Sequence, residues 1–301
     1  IGPYGATFTA NNAPLSIALA GAYRDCFVVD DTNHTARADM NCSFALASEH
    51  RLVIGPAREG LFSYLAMSGG IDATPFYGSL SVNARAGIGS PYPRMLIAGD
   101  RLSIKPSSKN ISEVCFPKTL RERSAPIRVV LGPQDHSFRA DALASLEQEW
   151  TLTPQCDRMG YQLTGPKLVH DGGHNIVSDG TVNGSIQVPA NGAPIVLMPD
   201  RGTTGGYPKI ATVITADLGR FAQTMPGQCV RFMPVTMDEA QDALRDFHHS
   251  IQRLPHSLSH ARVEPHDLTQ ALAGANVAGN AVNALDDDTW QHSGDNDKGS
   301  A

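Results

Sequence analysis

Between Asp200 and Lys209 the chain reads D-R-G-T-T-G-G-Y-P-K. A carboxylate, a guanidinium, two hydroxyls, a phenol and an amine stand there beside a diglycine. Charges of both signs next to glycine suit a loop that meets a polar ligand, because missing Cβ atoms let another molecule come close. Asp200, Arg201, Thr203, Thr204, Gly205, Gly206, Tyr207 and Lys209 are therefore the first candidates. A tight hairpin with a decorated turn uses the same residue types, so composition alone leaves both readings open. Pro208 fixes the entry into Ile210 to Ile214, a β-branched run that reads as a buried strand.

Two more polar clusters precede it. In C-D-R-M-G-Y-Q-L, from Cys156 to Leu163, the adjacent Asp157 and Arg158 would point to opposite faces of a strand, so each needs its own partner. Tyr161 adds a hydrogen-bonding phenol; the plainer reading is a strand edge with one buried arginine. In H-D-G-G-H-N-I-V-S-D-G, His170 and His174 stand four apart, a metal-binding interval on a helix. Gly172-Gly173 between them excludes the helix, leaving a polar hairpin as the default and no metal site. Asp179 is expected to be buried by hydrogen bonds in a Ser-Asp-Gly turn. Gln187 alternates between Ile186 and Val188 and can face the same cavity. Upstream, Arg85 lies in S-L-S-V-N-A-R-A-G-I-G with no acidic neighbour, suited to a substrate carboxylate or, equally, to loop carbonyls. The sequence carries no phosphate-binding G-x-x-x-x-G-K-[ST], no G-x-G-x-x-G after a strand and no G-x-S-x-G.

The elements that position these groups are mainly strands. Only 18% of the 301 residues are charged, while Gly and Pro number 28 and 20, which fits short strands joined by turns better than a helical bundle. Apolar runs at Leu15–Leu19, Cys26–Val29, Leu52–Ile54, Leu61–Ala66 and Met95–Ile97 recur with turn signals between them, the pattern of an all-β barrel or sandwich. A second block begins with Ile127–Leu131 and continues through Leu168–His170, Ile176–Ser178, Ser185–Val188, Ile195–Met198, Ile210–Ile214 and Cys229–Phe232. Leu143, Leu146 and Trp150 predict a short amphipathic helix over 140–150. Thr236, followed by acidic residues and a Leu244/Phe247/Ile251 stripe, predicts a capped helix from about Met237 to Leu254. The resulting division is a first β-barrel domain at 1–104, a linker at 105–125, a second at 126–236, a terminal helix at 237–254 and a weakly structured tail at 255–301. Leu268 to Leu285 reads as a weak helix and Asp286 to Ala301 as disordered.

Net charge is −6 and no dense basic block occurs, so nucleic acid and anionic membranes are poor partners. Five scattered cysteines without C-x-x-C suggest neither a disulfide framework nor a zinc site, and point to a reducing cytoplasm. No apolar run reaches the length of a membrane span.

Three ordered motifs go beyond composition: C-D-R-M-G-Y-Q-L, then I-V-S-D-G-x-V-x-G-S-I-Q-V-P, then D-R-G-T-T-G-G-Y-P-K-I-A-T-V-I. With L-A-M-S-G-G-I-D, G-S-L-S-V-N-A-R-A-G-I-G and A-G-D-R-L before them, the chain from about Gly2 to Thr236 resembles the biotin-dependent carboxyltransferase family. The likeness is to the branch that holds allophanate hydrolase subunit 2, the urea amidolyase-related proteins and the C subunit of 5-oxoprolinase. The resemblance implies an all-β fold with minor helices, in two cyclophilin-like β-barrel domains. It implies ATP-dependent hydrolysis of 5-oxo-L-proline to L-glutamate, with ATP as co-substrate of the complex and no tightly bound cofactor in this chain. The implied partners are two further 5-oxoprolinase subunits: the B subunit, of the allophanate hydrolase subunit 1 type, and the A subunit, of the lactam-utilisation type. Alternatives within the family are the carboxyltransferase half of a biotin-dependent urea or amide carboxylase, and a non-catalytic regulator that binds a kinase-inhibitor-like partner.

Carried onto these positions, Arg158 and Arg201 are expected to bind carboxylate or phosphate oxygens, and Lys209 to neutralise developing charge with Asp200 and Arg201 beside it. Arg85, Asp157, Tyr161, Gln187, Thr203, Thr204, Gly205, Gly206 and Tyr207 are expected to line the substrate site. Gly202 stands where the family commonly has Gln. Members usually carry a further N-terminal segment, so part of the first barrel is expected to be absent.

Overall fold

The computed structural model describes residues 1–107, 113–116 and 125–260, and all the structural statements below concern these. The expected weak helix over 268–285 and the disordered end lie outside them. Ile1–Ala261 form one compact unit.

Two large sheets divide the described chain by sequence. The first holds β1 (Ala6–Thr9), β2 (Leu15–Val29), β3 (Thr35–Ala38), β4 (Cys42–Leu46), β5 (Arg51–Met67), the short β6 (Val114–Cys115), and β17 (Ser259–His260) from the far end of the chain. Its order is β1-β5-β2-β4-β6-β17, with β3 also on β2. The apolar runs that the sequence separates are merged here. Leu15–Leu19 and Cys26–Val29 are two halves of β2, and Leu52–Ile54 and Leu61–Ala66 two halves of β5. Each strand slips phase at a glycine. In β2 the inward positions are Ile17 and Leu19 before Gly21 (φ 113°) and Ala22, Arg24 and Cys26 after it. In β5 they are Leu52 and Ile54 before Gly60 (φ 87°) and Leu61 and Ser63 after it. A bulge adds one residue and switches which parity faces the core, so the continuous strand looks broken in sequence.

Arg24 is buried at the second half of β2 with no carboxylate against it. Its guanidinium donates to Ser63 Oγ (2.6 Å) and to the carbonyls of Gly2 (2.6 Å), Leu61 (2.9 Å) and Gly55 (3.0 Å). A dispersed cage of carbonyls satisfies its forked donors where one counter-ion would leave several unmet.

The second sheet contains β7 (Ile127–Leu131), β8 (Trp150–Cys156), β9 (Gly160–Thr164), β11 (Ser185–Gln187), β12 (Ile195–Leu197), β14 (Lys209–Val213), β15 (Cys229–Val230) and β16 (Phe232–Pro234). Its order is β15-β8-β9-β12-β11-β14-β7-β16. The strands at its two edges, β15 and β16, are separated in sequence only by Arg231, so the sheet bends round until its ends meet. This near closure makes it barrel-like. Its interior is packed with Val129, Trp150, Leu152, Tyr161, Leu163, Ile186, Val196, Ile210 and Phe232. A separate two-stranded ribbon joins β10 (Asp179–Gly180) to β13 (Thr204–Gly205).

The predicted 140–150 helix is shorter: α1 covers Ala140–Ser145, and Trp150 opens β8 instead. Trp150 is fully buried and its indole N–H donates to Leu146 O (3.2 Å), so the helical spacing reflects a real contact on a different backbone. Helix α2 (Thr215–Ala222) follows β14, and α3 (Met237–Arg253) begins at a complete capping box between Thr236 and Glu239. Leu168–His170 and Ile176–Ser178 are not strands, and Met95–Ile97 lies exposed in a turn-rich segment.

The two sheets share a seam. Leu61 of β5 belongs to the interior of the second sheet, and Phe62 packs against it. Gln223, at the C-terminal end of α2, accepts from the Leu61 (2.7 Å) and Phe62 (2.9 Å) amides and donates to Phe62 O (2.8 Å). Its side chain thus completes the backbone bonding of β5 as a neighbouring strand would. Gln223→Ala leaves these backbone groups without partners and is expected to cost roughly 1–3 kcal/mol in a urea unfolding curve. An unchanged midpoint would show that water replaces the amide.

One cysteine expectation is corrected. Cys42 on β4 and Cys115 on β6 form a disulfide, and Cys26, Cys156 and Cys229 are free. The pairing was hidden because the cysteines are 73 residues apart and meet only through antiparallel register. Within the stretch read as linker, Val114–Cys115 is therefore a strand, held also by Ser43 Oγ, which accepts from Val114 N (3.0 Å). Closing a loop of this length contributes about 4 kcal/mol in the chain-entropy account. Adding a thiol reductant is thus expected to lower the melting temperature by several degrees, and Cys115→Ser to abolish that response.

Candidate functional site

The D-R-G-T-T-G-G-Y-P-K stretch leads from β12 into β14, and its polar groups go to three separate places. The first centres on Lys209 at the start of β14. Its side chain is buried, yet its ammonium donates to Asp179 Oδ2 (2.8 Å), and Asp179 itself is half exposed. Gln134, in the turn after β7, joins both: its Nε2 donates to Asp179 Oδ2 (3.2 Å) and its Oε1 accepts from the Lys209 amide (3.2 Å). The hydrogen bond from Lys209, reinforced by the Gly180 amide and Gln134, holds the Asp179 carboxyl below its usual range. An ammonium has three N–H groups, and Asp179 takes one. Lys209 is thus almost wholly enclosed, and Asp179 is the member of the pair that faces solvent.

The β10–β13 ribbon carries Asp179 to this position, pairing Asp179 with Gly205 and Gly180 with Thr204. Gly205 is required by Gln187. A Cβ there would press on Gln187 Nε2, so the glycine leaves room for the buried amide, which donates to Tyr207 O (3.4 Å). Thr203 and Gly206 serve the ribbon through their carbonyls, which accept from the Thr181 (3.0 Å) and Ile176 (2.9 Å) amides. The Tyr207 phenol is partly exposed.

The second place is around Arg201. Its Nη2 donates weakly to Thr181 O (3.4 Å), and its Nε is buried with no hydrogen-bond partner. Arg201 and Gly202 border a cavity of about 500 Å³ with Cys156, Asp157, Met159 and Gln162. Arg201 thus brings a guanidinium with one unsatisfied, buried N–H to the border of this cavity. The Gly202 carbonyl accepts from Thr181 Oγ1 (2.6 Å), and a Cβ at Gly202 would sit 3.2 Å from Thr204 O, a close but adjustable contact.

The third place is the pair of Arg158, in the β8–β9 turn, with Asp200. Arg158 Nε and Nη2 each donate to one Asp200 oxygen at 2.8 Å. Arg158 is about half exposed while Asp200 is mostly covered. The pair borders a cleft of about 350 Å³ whose other wall is the 71–102 segment. Adjacent Asp157 does turn away, as expected of separate partners: its Oδ1 accepts from the Met159 (2.7 Å) and Gly160 (3.3 Å) amides and shapes the turn.

Tyr161 and Asp179 differ from expectation, and of the two readings of Arg85 the one that bonds it to loop carbonyls is not met. Tyr161 is in the core, stacked near Phe221, with its hydroxyl donating to Ala222 O (2.9 Å). Burial pushes its phenol far up, so it packs the fold and does not face a ligand. Arg85 is exposed and makes no hydrogen bond or ion pair with a described residue. Asp179 is not buried in a turn; it is the solvent-facing partner of a buried lysine. Gln134 and Thr181 are the contributors that the sequence did not flag. A glutamine two residues past the glycine that follows the β7 run, in G-P-Q-D, was the available signal.

His170 stacks on Phe138 and its Nε2 lies 3.2 Å from Pro189 O. No group of three or more His, Cys, Asp or Glu able to hold a metal occurs among the described residues. None of the described helices is long and apolar enough to cross a membrane.

The second sheet is thus a nearly closed, barrel-like scaffold whose connecting loops carry these polar groups. The chain belongs to the family described as carboxyltransferase domain, subdomain A and B, which matches residues 2–234. It is 38% identical over 226 residues to the C subunit of 5-oxoprolinase from Escherichia coli (strain K12), an alignment covering 73% of each chain. It is also 38% identical over 191 residues to the C subunit of 5-oxoprolinase from Haemophilus influenzae, covering 63% of this chain and 61% of that one. The structure of the K. lactis urea amidolyase superposes with a TM-score of 0.74 at 24% identity, covering 84% of this chain and 16% of that one. The last similarity speaks for the fold alone.

Proposed function

We propose that this chain belongs to an ATP-dependent 5-oxoprolinase complex, hydrolysing 5-oxo-L-proline to L-glutamate together with two partners, one of the allophanate hydrolase subunit 1 type and one of the lactam-utilisation type. The observation that carries this reading is the buried Lys209 held on Asp179 and Gln134, within a chain 38% identical to two proteins named as the C subunit of 5-oxoprolinase. A lactam amide resists water until its carbonyl is activated. Lys209 supplies a cation for the oxygen that gains negative charge, and Asp179 keeps that cation in place. Arg201, whose side chain borders the cavity with Cys156 and Asp157, is assigned to a phosphate or carboxylate oxygen. ATP acts as co-substrate of the complex.

The test is reconstitution. The full chain mixed with both partners should release glutamate from 5-oxo-L-proline only when ATP is present, and omission of this chain should stop release. ATP-independent release, or full activity without this chain, would sink the proposal.

A second reading, the carboxyltransferase half of a urea carboxylase, is supported by the carboxyltransferase-domain family that matches residues 2–234. It predicts transfer from carboxybiotin on a separate carrier protein to urea, and no glutamate release. A cytoplasmic location would supply ATP to either complex. The Cys42–Cys115 bond is at odds with a reducing compartment, and a thiol count on denatured, unreduced protein decides that point.

A further inference from the structure

The cleft at the Arg158–Asp200 pair has a composition unlike the rest of the site. Its far wall, from the 71–102 segment, is apolar: Ile71, Leu80, Val82, Pro91 and Leu102 border it. A second arginine at its rim, Arg94, is already committed. It donates to both oxygens of Asp100 (2.7 and 2.8 Å) and to Met95 O (2.9 Å), and stacks over Tyr92. Arg158 differs. Its Nε and one Nη2 N–H go to Asp200, while Nη1 and the second Nη2 N–H have no described partner and its side chain is half exposed. Asp200 in turn accepts one hydrogen bond on each oxygen and keeps acceptor capacity on both. Donors for an anion and acceptors for an N–H therefore stand side by side, opposite an apolar wall.

We propose that this cleft binds a small cyclic acid, with its carboxylate on the outward N–H groups of Arg158, its ring N–H on Asp200 and its methylenes against Leu80 and Val82. This rests on the function proposed above and assigns the carboxylate end of 5-oxo-L-proline to Arg158 and not to Arg201; Lys209 does not border the cleft, so the acid held here occupies a recognition site apart from Lys209. It also predicts selection against urea. Urea can donate to Asp200, but it has no carboxylate for Arg158 and no methylenes for the wall. A charged hydrogen-bond donor left unmatched in a partly covered cleft disfavours the smaller, neutral amide.

Titration calorimetry on the full chain, alone and within the reconstituted complex, tests this with 5-oxo-L-proline, 2-pyrrolidinone and urea. Binding of 5-oxo-L-proline should exceed that of 2-pyrrolidinone, which lacks only the carboxylate, by roughly tenfold or more. Arg158→Gln should remove that difference, lowering affinity for the acid to that for the neutral lactam. Ala84→Trp, placed on an exposed residue that borders the cleft, should weaken both without touching the ion pair. Equal affinity for acid and neutral lactam, an unchanged Arg158→Gln variant, or no binding to chain or complex would overturn the assignment. The two proposals fail separately. A complex that turns over 5-oxo-L-proline normally with Arg158→Gln retains the function and loses this cleft. A chain that binds the acid through Arg158 in a complex without turnover keeps the cleft and loses the function.

Discussion

Lys209→Met should lower ATP-dependent glutamate release by the reconstituted complex by roughly 10²–10³-fold, the loss typical of removing one electrostatic stabiliser of a developing oxyanion. Methionine matches the length of the lysine stem, and the lysine side chain is already buried, so packing is kept while the charge is deleted. Asp179 is left without its cation but remains half exposed and solvated, so the variant should melt close to the parent temperature. The fall should appear in kcat more than in KM, because the ammonium is assigned to charge that appears on the way to the transition state. Activity within about threefold of the parent, with a normal melting temperature, would remove Lys209 from the chemistry.

The largest stability effect is expected at Asp217→Ala. Asp217 lies buried in the first turn of α2 and accepts from the Arg128 amide (2.9 Å), Arg128 Nε (2.9 Å), Arg128 Nη2 (2.8 Å) and Arg220 Nη2 (3.1 Å). Removing one side of a buried, hydrogen-bonded ion pair leaves the other uncompensated and costs roughly 3–5 kcal/mol. Urea unfolding should show a lower midpoint with an unchanged slope. Burial alone would raise the Asp217 carboxyl, but the hydrogen bonds from Arg128 and the charges of Arg220 and Arg128 outweigh it and hold the group below its ordinary value. Its stabilisation is thus complete above the unfolded-state value of about 4 and is lost as pH falls through the lower folded-state value. Asp217→Asn should accordingly flatten the acid limb of the stability–pH profile. A parallel downward shift at every pH would assign the loss to packing instead.

Legibility in the sequence followed how local each signal was. Ile127–Leu131 and the 237–253 helix were readable because a β-branched run and a capping box act within a few residues. The ribbons β2 and β5 were not, since Gly21 and Gly60 invert the alternation that marks a strand. Met95–Ile97 has the composition of a strand but no partner to pair with. At the candidate site, the three motifs mark the loops that carry Arg158, Asp179, Arg201 and Lys209, while the contacts between these groups depend on closure of the second sheet. Gln134 and Lys209 are neighbours only because β7 pairs with β14. The same dependence on register concealed the Cys42–Cys115 bond.

The seam between Gln223 and β5 has a dynamic consequence. Helix α2 is a rod of 8 residues, about 12 Å long, fixed to β7 by Asp217 at its first turn and to β5 by Gln223 at its last. Leu61 and Phe62 amides, though part of the first sheet, are therefore released to solvent only when the second sheet opens. Their deuterium uptake should track that of β7 and β14, and diverge from that of Leu52 and Ile54 on the same strand. One polypeptide strand would then report two opening reactions, with the boundary at Gly60.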